Sequence, residues 1–141
     1  MAENLLVPLD GSEKAYDALA YAVDNHPEAD ITVLHVLEMT ESAAAEGSVI
    51  TMDDKIHDAA EGRAEEIFEE ASELAADRGH EGELSTIVED GTAKRVIVEH
   101  AADFDTVVMG SYGPEGIGQK VLGSVAETVV RRSTVPVIVV K

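Results

Sequence analysis

The sequence predicts an α/β fold: a single domain built on an open, parallel, five-stranded sheet with helices on both faces. Three observations carry this. Short β-branched runs alternate with longer helical ones, the pattern of strands joined by helical crossovers. The 141 residues suit one core of ordinary size. No linker-like stretch or internal repeat divides residues 1–141.

Asn4–Leu9 reads as the first buried strand, with Pro8 near its end because proline cannot donate to a ladder. Ser12 is the N-cap of a helix through Ala15, Leu19, Ala22 and Val23 to about Asn25. Ile31–Leu37 is the second strand. Residues 38–52 have no clear period, and a connection of that length is usually functional or mobile. Thr51 and Asp54 resemble a capping pair ahead of a helix over roughly 53–79. Its inward stripe is Ile56, Ala60, Ala64, Ile67, Ala71, Leu74 and Arg78, with Glu61, Glu65, Glu69 and Glu73 off it and Gly79 as terminator. Leu84–Val88 is the third strand, and Thr92 to about Ala102 the third helix, with Val96, Ile97 and His100 inward. Phe104–Met109, residues 124–132 and Val135–Val140 complete the pattern as strand, helix and strand.

Composition excludes several classes of function. There are 29 Asp and Glu against 10 Lys and Arg, a formal net charge of −19, and duplex nucleic acid and anionic membranes are read through basic patches. Neither is an expected partner. The carboxylates are spread along the chain, as in a solvated surface. A salt-adapted (halophilic) source would explain them, since repulsion is screened within ~3 Å at 1 M salt; an ordinary acidic cytosolic protein is the alternative. No apolar run approaches the ~20 residues of a membrane span. The amino terminus lacks the basic and apolar regions of a secretory signal, so the expected location is cytoplasmic. Cysteine is absent, which removes disulfides, thiolate metal sites and thiol chemistry.

The stretch from Gly110 to Val130 holds the strongest chemical signal: four glycines in nine residues, a fifth at Gly123, then an amphipathic helix. It follows a buried strand, so it lies at the carboxyl end of the sheet, where open α/β folds bind ligands. A helix N-terminus after Gly123 offers free N–H groups and positive dipole to a phosphate. Gly110 and Gly113 would permit close approach of a ligand or positive φ. Two phosphate-loop templates fail. Gly113 to Gly118 has P-loop spacing, but Gln119-Lys120-Val121 follows; Gly116 and Gly118 begin a dinucleotide fingerprint that Val121 breaks. Plain structure explains the same residues: Ser124 and Glu127 form a capping box, and Gly110 and Gly123 would terminate elements. Residues alone leave ligand cradle and strand-to-helix connection both open.

Asp10-Gly11-Ser12 ends the first strand at the same edge, where Asp10 would hold a ribose hydroxyl or cap a helix. The five histidines show no metal spacing, and His35, inside a strand, reads as a satisfied core histidine. No nucleophile elbow or Ser-His-Asp order is present. No catalytic residue is assigned.

The chain resembles the universal stress protein family nearly end to end. The resemblance rests on Val7-Pro-Leu-Asp-Gly-Ser12, His35-Val36, Gly91-Thr92, Val107–Ser111, Gly123–Glu127 and Val135–Val139. Its most specific element is the ATP-binding pattern G-x2-G-x9-G-[ST], met by Gly110, Gly113, Gly123 and Ser124. The resemblance implies a doubly wound sheet of order 3-2-1-4-5, similar to adenine nucleotide alpha hydrolases, and a homodimer through the fifth strands. An apolar edge strand independently invites such pairing. It also implies an ATP or other adenine nucleotide site, with or without magnesium. By that resemblance Asp10 meets the ribose, Pro8, Leu9 and Val36 lie near adenine, and Met109, Gly110 and Ser111 border the nucleoside. Gly113, Gly123, Ser124 and Val125 would face the phosphates. Tyr112 stands where the family often has a basic residue, and Pro114-Glu115 brings a carboxylate to the phosphate side. Lys120 is the nearest compensating base in sequence, and magnesium would offset part of the charge. The implied role is a stress-response switch or partner-binding module, at most a feeble ATPase without a positioned base or arginine finger. The alternative is a non-nucleotide dimeric interaction or protective protein of the same fold, engaging a protein partner through its acidic surface.

Overall fold

β1 (Asn4–Pro8) is the central strand of the sheet, and its burial on both faces follows from its sequence. Leu5 and Val7 point to one side and Leu6 to the other, all fully buried. Each such side chain contributes about 1.5–3 kcal/mol of burial. The computed structural model describes residues 3–38, 50–111 and 122–141, with the helical backbone alone at 50–58 and 60.

The other strands are β2 (Asp30–Leu37), β3 (Leu84–Asp90), β4 (Thr106–Gly110) and β5 (Val137–Val140). All pair in parallel, in the order β3-β2-β1-β4-β5. The helices are α1 (Glu13–Asn25), α2 (Ile50–Asp77), α3 (Ala93–Ala101) and α4 (Ser124–Arg132). α1 and α2 cover the face holding Leu5, Val7, Ile31, Val33 and Val108; α3 and α4 cover the face holding Leu6, Leu34, Val107 and Met109. The chain therefore winds outward from β1 through β2 to β3, then returns across β1 to lay down β4 and β5. The winding reverses between β1 and β4.

Local chemistry explains the element ends. In α1, Ala15, Ala18, Leu19, Ala22 and Val23 are buried at helical spacing, and the Ala15 N–H donates to Ser12 Oγ at 3.2 Å. α2 closes in a Schellman arrangement: Gly79, at φ +80°, and His80 donate to the carbonyls of Ala76 and Ala75. β5 begins at Val137, two residues later than expected, because Pro136 has no N–H for the ladder. β4 begins at Thr106, since Phe104 N–H is spent on the carbonyl of Ala101 in the turn after α3.

Three local expectations are corrected. Thr51 and Asp54 do not precede α2, which already runs from Ile50, so they lie inside it; residues 39–49 of the expected loop lie outside the described residues. The buried stripe of α2 runs through Ala64, Ile67, Ala71 and Ala75, while Arg78 is exposed, 3.6 Å from Asp24. The fourth helix is capped by Gly123, leaving Ser124 as its first residue, exposed, with no side-chain capping bond.

Two glycines give opposite expectations. A Cβ at Gly82 would stand 2.1 Å from the carbonyl oxygen of Ala29, whereas one at Gly62, inside α2, meets nothing within 4 Å. In urea unfolding, Gly82→Ala is expected to lose about 1–3 kcal/mol. Gly62→Ala should gain about 0.5–1 kcal/mol from helix propensity.

Candidate functional site

β1 and β4 pair at only two positions, Leu5↔Thr106 and Leu6↔Val107, and then part. The reason lies in Pro8. Leu9 N–H donates to Leu34 on β2 at 2.8 Å, so by strand alternation the nitrogen of Pro8 is turned toward β4. That nitrogen has no hydrogen to give. Beyond Leu6 the two central strands therefore leave a crevice open at the carboxyl edge, at the point where the winding reverses.

The β1 side of the crevice is Pro8, Leu9 and the Asp10–Ser12 turn. Leu9 is buried, and its carbonyl accepts a 2.7 Å hydrogen bond from His35 Nδ1. That bond fixes the histidine tautomer with its proton on Nδ1 and bears out His35 as a satisfied histidine. Asp10 is exposed; its Oδ1 accepts the Ser12 N–H at 2.9 Å, while Gly11 turns the chain at φ +86°. The cap of α1 is thus Ser12, and Asp10 shapes the turn that precedes it.

The β4 side is Met109, Gly110 and Ser111. Met109 is buried against α3 and α4, on the same sheet face as half-buried Val36 of β2. Gly110 has ordinary negative φ, and its missing side chain is required by α1: a Cβ there would lie 2.8 Å from the carbonyl oxygen of Lys14. Close approach at Gly110 is therefore helix packing. Ser111, the one buried polar residue among the described residues, ties three elements together. Its N–H donates to Val140 of β5 at 2.9 Å, and its carbonyl accepts the Gly123 N–H at 2.7 Å. The Gly123 N–H is thus turned to Ser111, and the first-turn N–H groups of α4, from Ser124 onward, are the ones without intrahelical acceptors. Gly113, with Tyr112, Pro114, Glu115 and Lys120, lies outside the described residues.

The structure thus places Pro8, Leu9, Asp10, Met109, Gly110 and Ser111 along one crevice, brings Gly123, Ser124 and Val125 to it through the Ser111–Gly123 bond, and sets Val36 on the adjoining strand. Sequence reasoning missed the packing of Lys14 against Gly110. The Cβ and backbone of Lys14 take the space that a side chain at position 110 would need, and its ammonium lies 3.8 Å from Asp17 along α1. Below the turn, Tyr16 sits between α1 and α2, where burial and then the Glu70 carboxylate hold its phenol well above the ordinary tyrosine range. The crevice combines apolar walls, a carboxylate and a helix N-terminus, which suits a ligand with a flat apolar part, hydroxyls and an anionic tail.

The sequence profile of the universal stress protein family matches residues 1–141. The universal stress protein YxiE of Bacillus subtilis is 31% identical over the whole of both chains. Among solved structures, the hypothetical protein MJ0577 aligns with a TM-score of 0.83 at 29% identity, over 100% of this chain and 96% of its own. Universal stress protein UspA from Lactobacillus plantarum aligns with a TM-score of 0.81 at 25% identity, over 99% and 97%.

Gly110→Ala is expected to cost about 1–3 kcal/mol of stability with no ligand present, because the clash is with α1 backbone. Denaturant unfolding of the ligand-free protein checks it. An unchanged midpoint would mean that packing does not demand this glycine.

Proposed function

Because the chain belongs to the universal stress protein family, we propose that it binds an adenine nucleotide, ATP among them, in the crevice between β1 and β4 and serves the stress response as a nucleotide-dependent switch or partner-binding module. The observation that carries this reading is the meeting of the Leu9–Asp10 turn, the end of β4 and the α4 N-terminus at one reversal of the sheet. The glycine spacing from Gly110 to Ser124 adds to it. Two solved proteins of this fold support the ligand class: a universal stress protein in complex with cAMP, at 22% identity, and one from Arabidopsis thaliana with AMP bound, at 15%.

In this reading adenine lies against Pro8, Leu9, Val36 and Met109, and the His35 bond to the Leu9 carbonyl holds that wall in place. Asp10 accepts a ribose hydroxyl with the oxygen that the turn leaves over. The N–H groups of Ser124 and Val125 and the Ser124 hydroxyl receive phosphate oxygens. Among the described residues no three metal-ligating side chains cluster, so magnesium would arrive with the phosphates. The proposed work is binding, with at most feeble hydrolysis. Self-association through β5, whose Val137–Val140 edge is apolar and half-buried, belongs to the same reading.

A second reading, a non-nucleotide interaction protein of this fold, is favoured by the packing role of Gly110 and by the Gly123 N–H being spent on Ser111. Calorimetry with ATP, ADP and AMP in dilute and concentrated salt separates the two. The expected result is one nucleotide per chain, weakened about tenfold or more by Asp10→Ala. Absence of binding by all three nucleotides, with none released on heating the purified protein, would leave the second reading. For the edge, sedimentation should find dimers; monomers alone at every concentration would remove that part.

A further inference from the structure

The sheet has a second free edge, β3, at the opposite end of the order from β5. β3 pairs with β2 along all seven of its residues, Leu84↔Ile31 to Asp90↔Leu37, and no described strand flanks its other side. Every second N–H and C=O of β3 is therefore turned outward. Proteins usually blunt such an edge with lysine, proline or a bulge. Leu84-Ser-Thr-Ile-Val-Glu-Asp90 contains neither lysine nor proline, and its register with β2 is unbroken.

The edge is also apolar where it meets α2. Val88 lies opposite His35, on the sheet face covered by α2, and is 41% exposed. Ala64 and Phe68 of α2 line a groove with it, and Glu61 and Glu65 form the helix-side rim. Glu89, hydrogen-bonded to His100, and Asp90 close the strand. An occupant of this groove must offer an apolar side chain to Val88 and Phe68 and positive charge to Glu65.

A second copy of the chain does not meet that requirement. It carries the same net charge of −19, and pairing two β3 edges would set one acidic groove rim beside another. β5 differs here: Val137-Ile-Val-Val140 has no charge before Lys141. One edge suits self-pairing and the other suits a basic partner.

We propose that the outer edge of β3, with its groove against α2, docks an extended basic segment of another protein by strand addition. Main-chain hydrogen bonds to the open edge give the affinity; an apolar residue over Val88, with lysine or arginine beside it for Glu65, gives the selection. β2 separates this edge from the β1–β4 crevice, so the proposal stands whether or not the crevice holds a nucleotide.

The test uses the intact protein and the synthetic peptide Lys-Val-Arg-Ile-Lys-Val-Arg. A peptide of equal charge, with proline at its second and fourth positions, serves as control because it cannot complete a ladder. The expected results are binding of the first peptide only, new exchange protection of amides in Ser85–Asp90, and about tenfold weaker binding by Val88→Lys. The exposed variant Glu65→Gln should weaken it too, and serves if Val88→Lys fails to fold. Equal binding of the two peptides, protection on β5 instead, or affinity untouched by these variants overturns the proposal. So does a dimer of the free protein that Val88→Lys converts to monomer, since the occupant is then a second copy.

Discussion

The missing N–H of Pro8 is the constraint on which the candidate site depends. β1 lies between β2 and β4 and is bonded to β2 along its length, but to β4 at only two positions. Were the β1–β4 ladder to continue, the carboxyl edge would be closed backbone. With a proline nitrogen facing β4, the two strands separate, and the space is bounded by the Asp10 turn, β4 and the first turn of α4. Gly110 is the second half of the same arrangement: without a side chain, β4 runs on past the first turn of α1. A parallel sheet that reverses its winding always has a crevice at that point; these two residues set its width.

Ser111 joins this crevice to the edge of the sheet. Its two backbone hydrogen bonds run to Val140 on β5 and to the cap of α4. A ligand that draws on the α4 N-terminus therefore acts on a residue already held by the strand proposed for self-association. The surface charge sets the other boundary. With a net −19, approach of a polyphosphate is opposed over the whole surface, and binding depends on local groups such as the helix N-terminus, with magnesium sharing the charge. The same charge favours a basic occupant at β3.

The fold was legible because its signals are periodic. Alternating β-branched runs and the 15, 18, 19, 22, 23 spacing in α1 translate directly into buried faces. Strand order came instead from the resemblance to a family, since a single sequence does not say which strands are neighbours. Where reading failed, a stronger competitor was present. Thr51 and Asp54 have capping chemistry but sit inside a helix that starts earlier; Arg78 fell on the apolar stripe by period but found Asp24 in solvent. Ser124 and Glu127 have capping-box spacing, yet Gly123 takes the cap: its backbone is extended and its carbonyl accepts the Glu127 N–H. At the site, the glycine spacing was visible while its physical causes were not. Gly110 is a packing residue because α1 lies against β4, a contact between segments about a hundred residues apart.

The central claim is that the crevice between β1 and β4 receives an adenine nucleotide. Titrating isotopically labelled protein with ATP and following backbone amide resonances tests it most directly. The account predicts shifts concentrated at Leu9, Asp10, Val36, Met109–Ser111 and Gly123–Val125, with β3 unmoved. Shifts centred elsewhere, or none at saturating ATP, would contradict it.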